Sequence, residues 1–319
     1  MMKMTPCFIV IMMLSCNFCH AHSGFEREAN AGFGQFVDQT DAFFYFAAGS
    51  NGLVEIDLET GEELVYEIAT QVNSVYALDK GRLAIPDNNK TLCVTDLLRY
   101  NETIELIDDK ADGNVMRLLI KDDVVYYATN GGALCAFSLG DHSIKTLIED
   151  HWMRQFMVAN EGIWLSDNAG LYLYAYDTGQ VKLMIDAPVG FIQRLHDKLY
   201  YSESLSGGLY TYDMHSGEIK KIWDGFAYEF IVNEGEETAA IIRRPYYDLV
   251  LLDMETSNIR EVALDDQLCA LNILNGEIYA LCYTDRPAGV GGANYTLLKI
   301  DQKTGLAQRV YATMVEDAG

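Results

Sequence analysis

An all-β fold, a β-propeller of seven four-stranded antiparallel blades, is predicted by three features of the chain. A Tyr-rich, Asp-punctuated unit recurs from about residue 34 to the C-terminus, its period is near 40 residues, and its apolar runs are short and aromatic or β-branched. The unit reads as an apolar-aromatic strand, a small loop, L-x-x-φ-D-x-x-[TS]-G, and then a charged amphipathic strand. The most regular copies begin at Leu53 (LVEIDLETG), Leu209 (LYTYDMHSG) and Leu297 (LLKIDQKTG). Further copies begin at Leu92, Leu134, Leu171 and Leu249.

The anchor column is Asp57, Asp96, Ser138, Ala175, Asp213, Asp253 and Asp301, with spacings of 39, 42, 37, 38, 40 and 48 residues. That period matches propeller blades and exceeds that of leucine-rich repeats. Upstream of the anchors lie runs such as Phe43 to Phe46 (FFYF), Val124 to Tyr127 (VVYY) and Ile278 to Leu281 (IYAL), each stopped by a turn former. A further strand and a tight turn precede them, as at Asn160-Glu161-Gly162 and Asn275-Gly276. Four strands per unit, A to D, give consecutive antiparallel meanders whose edges are shielded by radial repetition.

The repeated Asp and Gly read as turn chemistry, the Asp capping the C–D turn and the Gly taking positive φ. Ser138 and Ala175 replace the Asp in two copies, which a turn tolerates more readily than a liganded ion would. The aromatic column of strand B reads as packing between blades.

Composition bounds the function. The chain has 23 Lys and Arg against 47 Asp and Glu, a formal net charge of -24, so nucleic acid and anionic membrane are disfavoured as partners. At the N-terminus, Lys3 and the apolar run Phe8 to Leu14 read as a signal peptide over residues 1–23, with cleavage after Ser23. Met13-Leu14-Ser15-Cys16 also resembles a bacterial lipobox, which would make Cys16 a lipid anchor. Residues 24–33 read as a linker and 34–319 as the propeller domain. No other segment reaches the ~18 uninterrupted apolar residues of a membrane span. The expected destination is extracytoplasmic.

The pattern φ-Y-[YWF], small loop, L-Y-x-φ-D, Gly, charged strand resembles bacterial extracytoplasmic propellers of the low-density-lipoprotein-receptor-like kind. These form a domain family of unknown function related to YWTD repeats. The resemblance covers nearly all of the chain after residue 23 and implies the propeller architecture, with little about activity. Strict YWTD tetrads are absent, the nearest being Tyr126-Tyr127-Ala128-Thr129 and Ile163-Trp164-Leu165-Ser166. YWTD propellers have six blades, whereas the anchor column counts seven, so six remains the alternative.

Two cysteines suggest a bridge. A two-residue turn at Asn275-Gly276 would make paired residue numbers sum to 551 and set Cys269 opposite Cys282. A cross-strand disulfide is then one expectation, and two buried thiols the other.

Catalytic signatures are missing from the sequence: no G-x-S-x-G, no GxGxxG, no Walker loop, no His-x-x-x-His and no CxxC. No cofactor or metal is expected. The candidate binding residues lie where D–A links and B–C loops should surround the channel mouth. They are Arg243, Arg244, Tyr246 and Tyr247 in one loop, Asp285 and Arg286 in the longest insertion, and Trp152, Arg154 and Tyr228 at the starts of units. Aromatic residues with Arg suit recognition of a protein, peptide or glycan. The leading expectation is a monomeric, non-enzymatic binding propeller. The alternative is a secreted lyase or hydrolase with His151, Asp285 and further carboxylates at the channel mouth.

Overall fold

A computed structural model describes residues 115–284, except 234, 236, 246 and 275, together with residues 294–312. Before these it describes the turn 59–62 and strands between residues 29 and 107. Strand β1 (Ala29–Ala31) comes first. Blade 1 is β2 (Phe36–Gln39), β3 (Phe43–Ala47), β4 (Leu53–Asp57) and β5 (Glu63–Tyr66). Blade 2 is β6 (Ala77–Asp79), β7 (Arg82–Pro86), β8 (Thr91–Asp96) and β9 (Thr103–Ile107). Blade 3 is β10 (Val115–Lys121), β11 (Val124–Thr129), β12 (Leu134–Ser138) and β13 (Ile144–Ile148). Blade 4 is β14 (Gln155–Val158), β15 (Gly162–Ser166), β16 (Leu171–Ala175) and β17 (Gln180–Ile185). Blade 5 is β18 (Val189–Leu195), β19 (Lys198–Glu203), β20 (Leu209–Asp213) and β21 (Ile219–Trp223). Blade 6 is β22 (Ala227–Val232), β23 (Thr238–Arg243), β24 (Asp248–Asp253) and β25 (Ile259–Val262). Blade 7 is β26 (Gln267–Leu274), β27 (Glu277–Thr284), β28 (Asn294–Ile300) and β29 (Ala307–Ala312).

Each blade is an antiparallel meander of four consecutive strands, and there are seven, as the anchor column predicts. The first strands of successive blades neighbour one another around a ring, which closes where β2 meets β26. Tyr311 at the end of blade 7 also donates its hydroxyl to Glu63 of blade 1.

The core lies between blades because each sheet has two apolar faces. Ile163 and Leu165 of blade 4 pack with Leu119, Ala128 and Leu134 of blade 3, whereas Trp164 of the same strand packs with Ile192 and Tyr201 of blade 5. The strand period of two thus sends alternate residues to opposite neighbours. Strands D carry the exposed, lysine-bearing edge, as at Lys182, Lys220 and Lys221, where charge discourages further pairing.

The anchor aspartates cap the C–D turns as the sequence predicts. Asp301 Oδ1 accepts from the N–H groups of Lys303 (2.9 Å) and Thr304 (2.7 Å), and Gly305 sits at φ 74° with its N–H donating to the Asp301 carbonyl (2.8 Å). Asp57, Asp213 and Asp253 repeat the pattern. These bonds favour the ionised form and hold the Asp213, Asp253 and Asp301 carboxyls below the usual range. At Ala175 the turn lacks the aspartate cap and keeps the backbone bond from Gly179 (2.8 Å).

The expected pairing of Cys269 with Cys282 is corrected by a bulge. Register follows the 551 sum from Leu274↔Glu277 to Ala270↔Leu281, then shifts, so that Cys282 faces Leu268. The extra residue in the bulge is Cys269, whose side chain lies outside the described residues. Cys282 is a free, buried thiol whose pKa burial pushes up to about 12.

A bulge also interrupts the A–B ladder in blades 1, 3, 5 and 6, always near the start of strand A. Polar side chains near the start of strand A reach the next blade. Leu118, Phe156, Ile192, Phe230 and Leu271 share one position, each paired with the strand-B residue before the one facing the template leucine. The residue preceding Phe156 is Gln155, and its Oε1 accepts from Ile192 N–H of blade 5 (2.5 Å). The residue preceding Phe230 is Glu229, and its Oε1 accepts from Leu271 N–H of blade 7 (3.0 Å). Between them, Gln193 accepts from Val232 N–H (2.7 Å) and donates to the Val232 carbonyl (3.1 Å).

Glu229 therefore occupies a glutamine-like place, fully buried, and its Oε2 finds no partner among the described residues. Burial raises its pKa from 4.5 to about 7. Below pH 4.5 the group is protonated whether the chain is folded or not, and above about pH 7 the fold must hold a buried carboxylate. Stability should thus fall as pH rises from 4.5 to about 7, by about 3 kcal/mol from this group. Urea denaturation of wild type and Glu229→Gln across that interval should show the difference between them changing by that amount. A constant difference would contradict the assignment.

Candidate functional site

The D–A links and B–C loops meet on one face. His151 of the blade 3–4 link donates its N–H to Gly132 in the blade 3 B–C loop (2.9 Å), and Arg154 donates to Ser166 before the blade 4 loop (2.8 Å). Gly208 of the blade 5 loop donates to Gly225 of the next link (2.8 Å), and Arg244 of the blade 6 loop donates to Phe226 of that link (3.0 Å). Leu205 to Gly208, Gly225 to Tyr228, Arg244 and Tyr247 therefore form one connected surface.

At its centre the exposed Arg244 guanidinium lies 4.6 Å from the Tyr228 ring centroid and 6.0 Å from that of Tyr247. The two rings meet edge to face at 5.2 Å. The ring faces attract the cation and restrict its rotamers. Tyr247 adopts φ 56°, a left-handed conformation costing a bulky residue of order 1 kcal/mol or more, and the Tyr228 edge and Arg244 are its packing partners.

Beside this cluster Phe226 is 44% and Leu205 70% exposed. Phe226 lies against Gly207, where a Cβ would come within 3.2 Å of the ring and where φ is 77°. Glycine is required there on both counts. Trp152, on the blade 3–4 link, is 71% exposed.

Arg154 is half-buried and donates through Nε to Asn168 Oδ1 (2.8 Å). Arg117 at the start of β10 donates through Nε to the Arg154 carbonyl (2.9 Å). Burial lowers its pKa to about 10, and Tyr228 is close enough to act on it electrostatically. Blades 3, 4 and 6 thus contribute an arginine each to the link-and-loop face.

Of the residues expected at this site, Arg244, Tyr228 and Tyr247 come together, and Trp152 and Arg154 lie on the same face. Arg243 serves the fold instead: it pairs with Asp248 and with Glu261 (2.9 Å), which raises its pKa further. Tyr246, Asp285 and Arg286 lie outside the described residues, as does Cys16. His151 joins Asp167 through Nδ1 (3.2 Å) with Tyr172 edge-on to its ring. Among the described residues no group of three His, Cys, Asp or Glu side chains is placed to hold a metal ion.

Arg117, Leu205 and Phe226 were missed. Arg117 carries no local signal, since its partner, the Arg154 carbonyl, lies 37 residues away in the next blade. Leu205 and Phe226 carry no local signal, since an apolar residue in a loop reads as a strand end.

Sequence comparison matches neither a protein family nor a curated protein. Solved structures do match. The WD40 β-propeller domain of Doa1 aligns with a TM-score of 0.59 at 13% identity over 81% of this chain and 90% of that one. Hsv2p from Kluyveromyces lactis gives 0.58 at 10% over 88% and 99%, and BamB from Moraxella catarrhalis 0.51 at 14% over 79% and 82%. The likeness settles the fold alone. No helix among the described residues is long and apolar enough to cross a membrane.

The two neighbouring arginines should separate in denaturation. Arg243→Ala, which leaves Asp248 and Glu261 unpaired, should cost up to about 1 kcal/mol in urea. Arg244→Ala should change stability by less than about 0.5 kcal/mol. The reverse order would place Arg244 in the scaffold.

Proposed function

We propose that this chain is an extracytoplasmic, non-enzymatic recognition propeller that binds a protein or peptide through its link-and-loop face. The observation carrying this reading is the composition of that face in so acidic a molecule. Arg154 and Arg244 have no carboxylate partner among the described residues, whereas Arg194 and Arg243 are paired with Glu161 and Asp248. Exposed Trp152, Leu205 and Phe226 flank them. A cation held between tyrosine rings, beside solvent-facing aromatics, is the composition of binding hot spots. Loops held by a rigid scaffold are where such surfaces are built.

The partner this face suits presents carboxylates beside aromatic or aliphatic side chains. The surrounding negative charge would exclude other acidic surfaces by repulsion, so contact should be short and local. The extracytoplasmic location rests on the leader-like N-terminal residues.

A phage-displayed library of random 12-residue peptides, selected on the full chain, tests the reading. Enriched peptides should carry Asp or Glu next to an aromatic residue. A synthetic copy of one should bind Arg244→Ala and Trp152→Ala at least tenfold more weakly than wild type. Enrichment of peptides whose affinity neither substitution changes would overturn the proposal.

A further inference from the structure

Among the described residues, blade 4 alone has five strands. The fifth is β1, which pairs antiparallel with β14 on the side facing the channel, in the register Ala29↔Val158, Asn30↔Met157 and Ala31↔Phe156. β14 is the first strand of its blade, so its free edge is the one the propeller leaves on the axis. β1 also lies beside β10 of blade 3.

The chemistry of the preceding blade accounts for this. The inner edge of β18 receives an acceptor from Gln155, that of β22 from Gln193 and that of β26 from Glu229. In blade 3 the residue at the position of Gln155 and Glu229 is Arg117. An arginine has five donors and no acceptor. Arg117 accordingly reaches a carbonyl, that of Arg154, and Lys121 reaches the carbonyl of Val158 (3.2 Å). Neither can serve an N–H group. Phe156 corresponds to Ile192 and Leu271, whose N–H groups are the ones bonded by Gln155 and Glu229. Alternate residues of a strand face one edge, so Phe156 and Val158 turn their N–H groups to the channel together. The strand facing those two residues presents Ala31 and Ala29.

We infer that the inner edge of β14 is a strand-acceptor slot. It is bracketed by Arg117 and Lys121, the blade 3 side chains that reach it among the described residues and that can only donate, and it is occupied by residues 29–31 of the same chain. Its ligand class is an extended peptide running antiparallel to β14. Main-chain bonds supply the affinity, as in other cases of strand addition to a sheet edge. The resident segment, Ala29-Asn30-Ala31, is short and built of small residues, which suits a narrow axial channel and a replaceable occupant. This slot is separate from the link-and-loop surface, and either proposal can fail without the other.

The test uses the full chain and a fluorescein-labelled peptide with the sequence of residues 26–34. Ala31→Pro removes an N–H from the resident strand and should let the peptide bind at least tenfold more tightly than it binds wild type. Adding Arg117→Gln, which supplies an acceptor of the chain's own, should reverse that gain by at least tenfold. Circular dichroism establishes that each variant keeps its β-sheet. In the Ala31→Pro chain, excess unlabelled peptide should slow amide exchange at Phe156 and Val158 while leaving Ile192 unchanged. The slot is refuted if Ala31→Pro binds no better than wild type, if Arg117→Gln makes no difference, or if exchange at Phe156 and Val158 is indifferent to the peptide.

Discussion

The innermost strand of a propeller blade has a partner on one side only, and its other edge faces the axis. That edge carries backbone N–H and C=O groups, and burying them without partners costs roughly 1–3 kcal/mol each. In this chain, side chains from the preceding blade meet part of that need, and the contacts recur at the blade period: Gln155 to Ile192, Gln193 to Val232, Glu229 to Leu271. Each contact also ties one blade to the next. In blade 6 a bulge lies immediately before the acceptor, between Ala227 and Glu229. Hydrophobic packing holds adjacent blades together, and these bonds fix how they sit.

Departures from the contact have consequences. Glutamate in place of glutamine keeps the acceptor but leaves a second oxygen buried without a partner among the described residues, which makes the blade 6–7 seam a site where protonation matters. Arginine in the same place cannot accept at all, and there the chain's own N-terminal strand lies against the edge. Two substitutions at one structural position thus produce a titrating group and an occupied slot. The link-and-loop face is governed by a different rule. It has exposed aromatics, and its Arg154 and Arg244 have no carboxylate partner among the described residues, in a protein of net charge -24.

Much of the architecture could be read from the sequence because its signals are local. The Asp of four C–D turns bonds N–H groups two and three residues away, so four aspartates, three with a glycine and one with Ser257 at the positive-φ position, mark four turns without knowledge of the fold. Blade count follows from the spacing of that column. Arg244 and Tyr247 were visible as a basic and aromatic cluster in a loop of an acidic chain, and Tyr228 as an aromatic residue at the start of its unit. What stayed hidden is non-local. Placing Cys282 required counting through a bulge, and one extra residue moved its partner from Cys269 to Leu268. Arg117, Gln155 and Glu229 act across a blade boundary, so their shared role emerges only once the register of five A–B pairs is known. Phe226 and Leu205 face outward, and nothing in their neighbours in sequence says so.

Gln193 offers the most direct test of the inner-edge account, because it serves both backbone groups of one residue, Val232. Amide hydrogen exchange at Val232 should be compared between wild type and Gln193→Leu, a substitution that keeps the side chain's bulk. The account predicts that Val232 exchanges at least tenfold faster in the variant while Ile241, deeper in the same blade, keeps its protection. Unchanged protection at Val232 would mean that the side-chain bond does not hold that edge, and the account of the inner ring would fail with it.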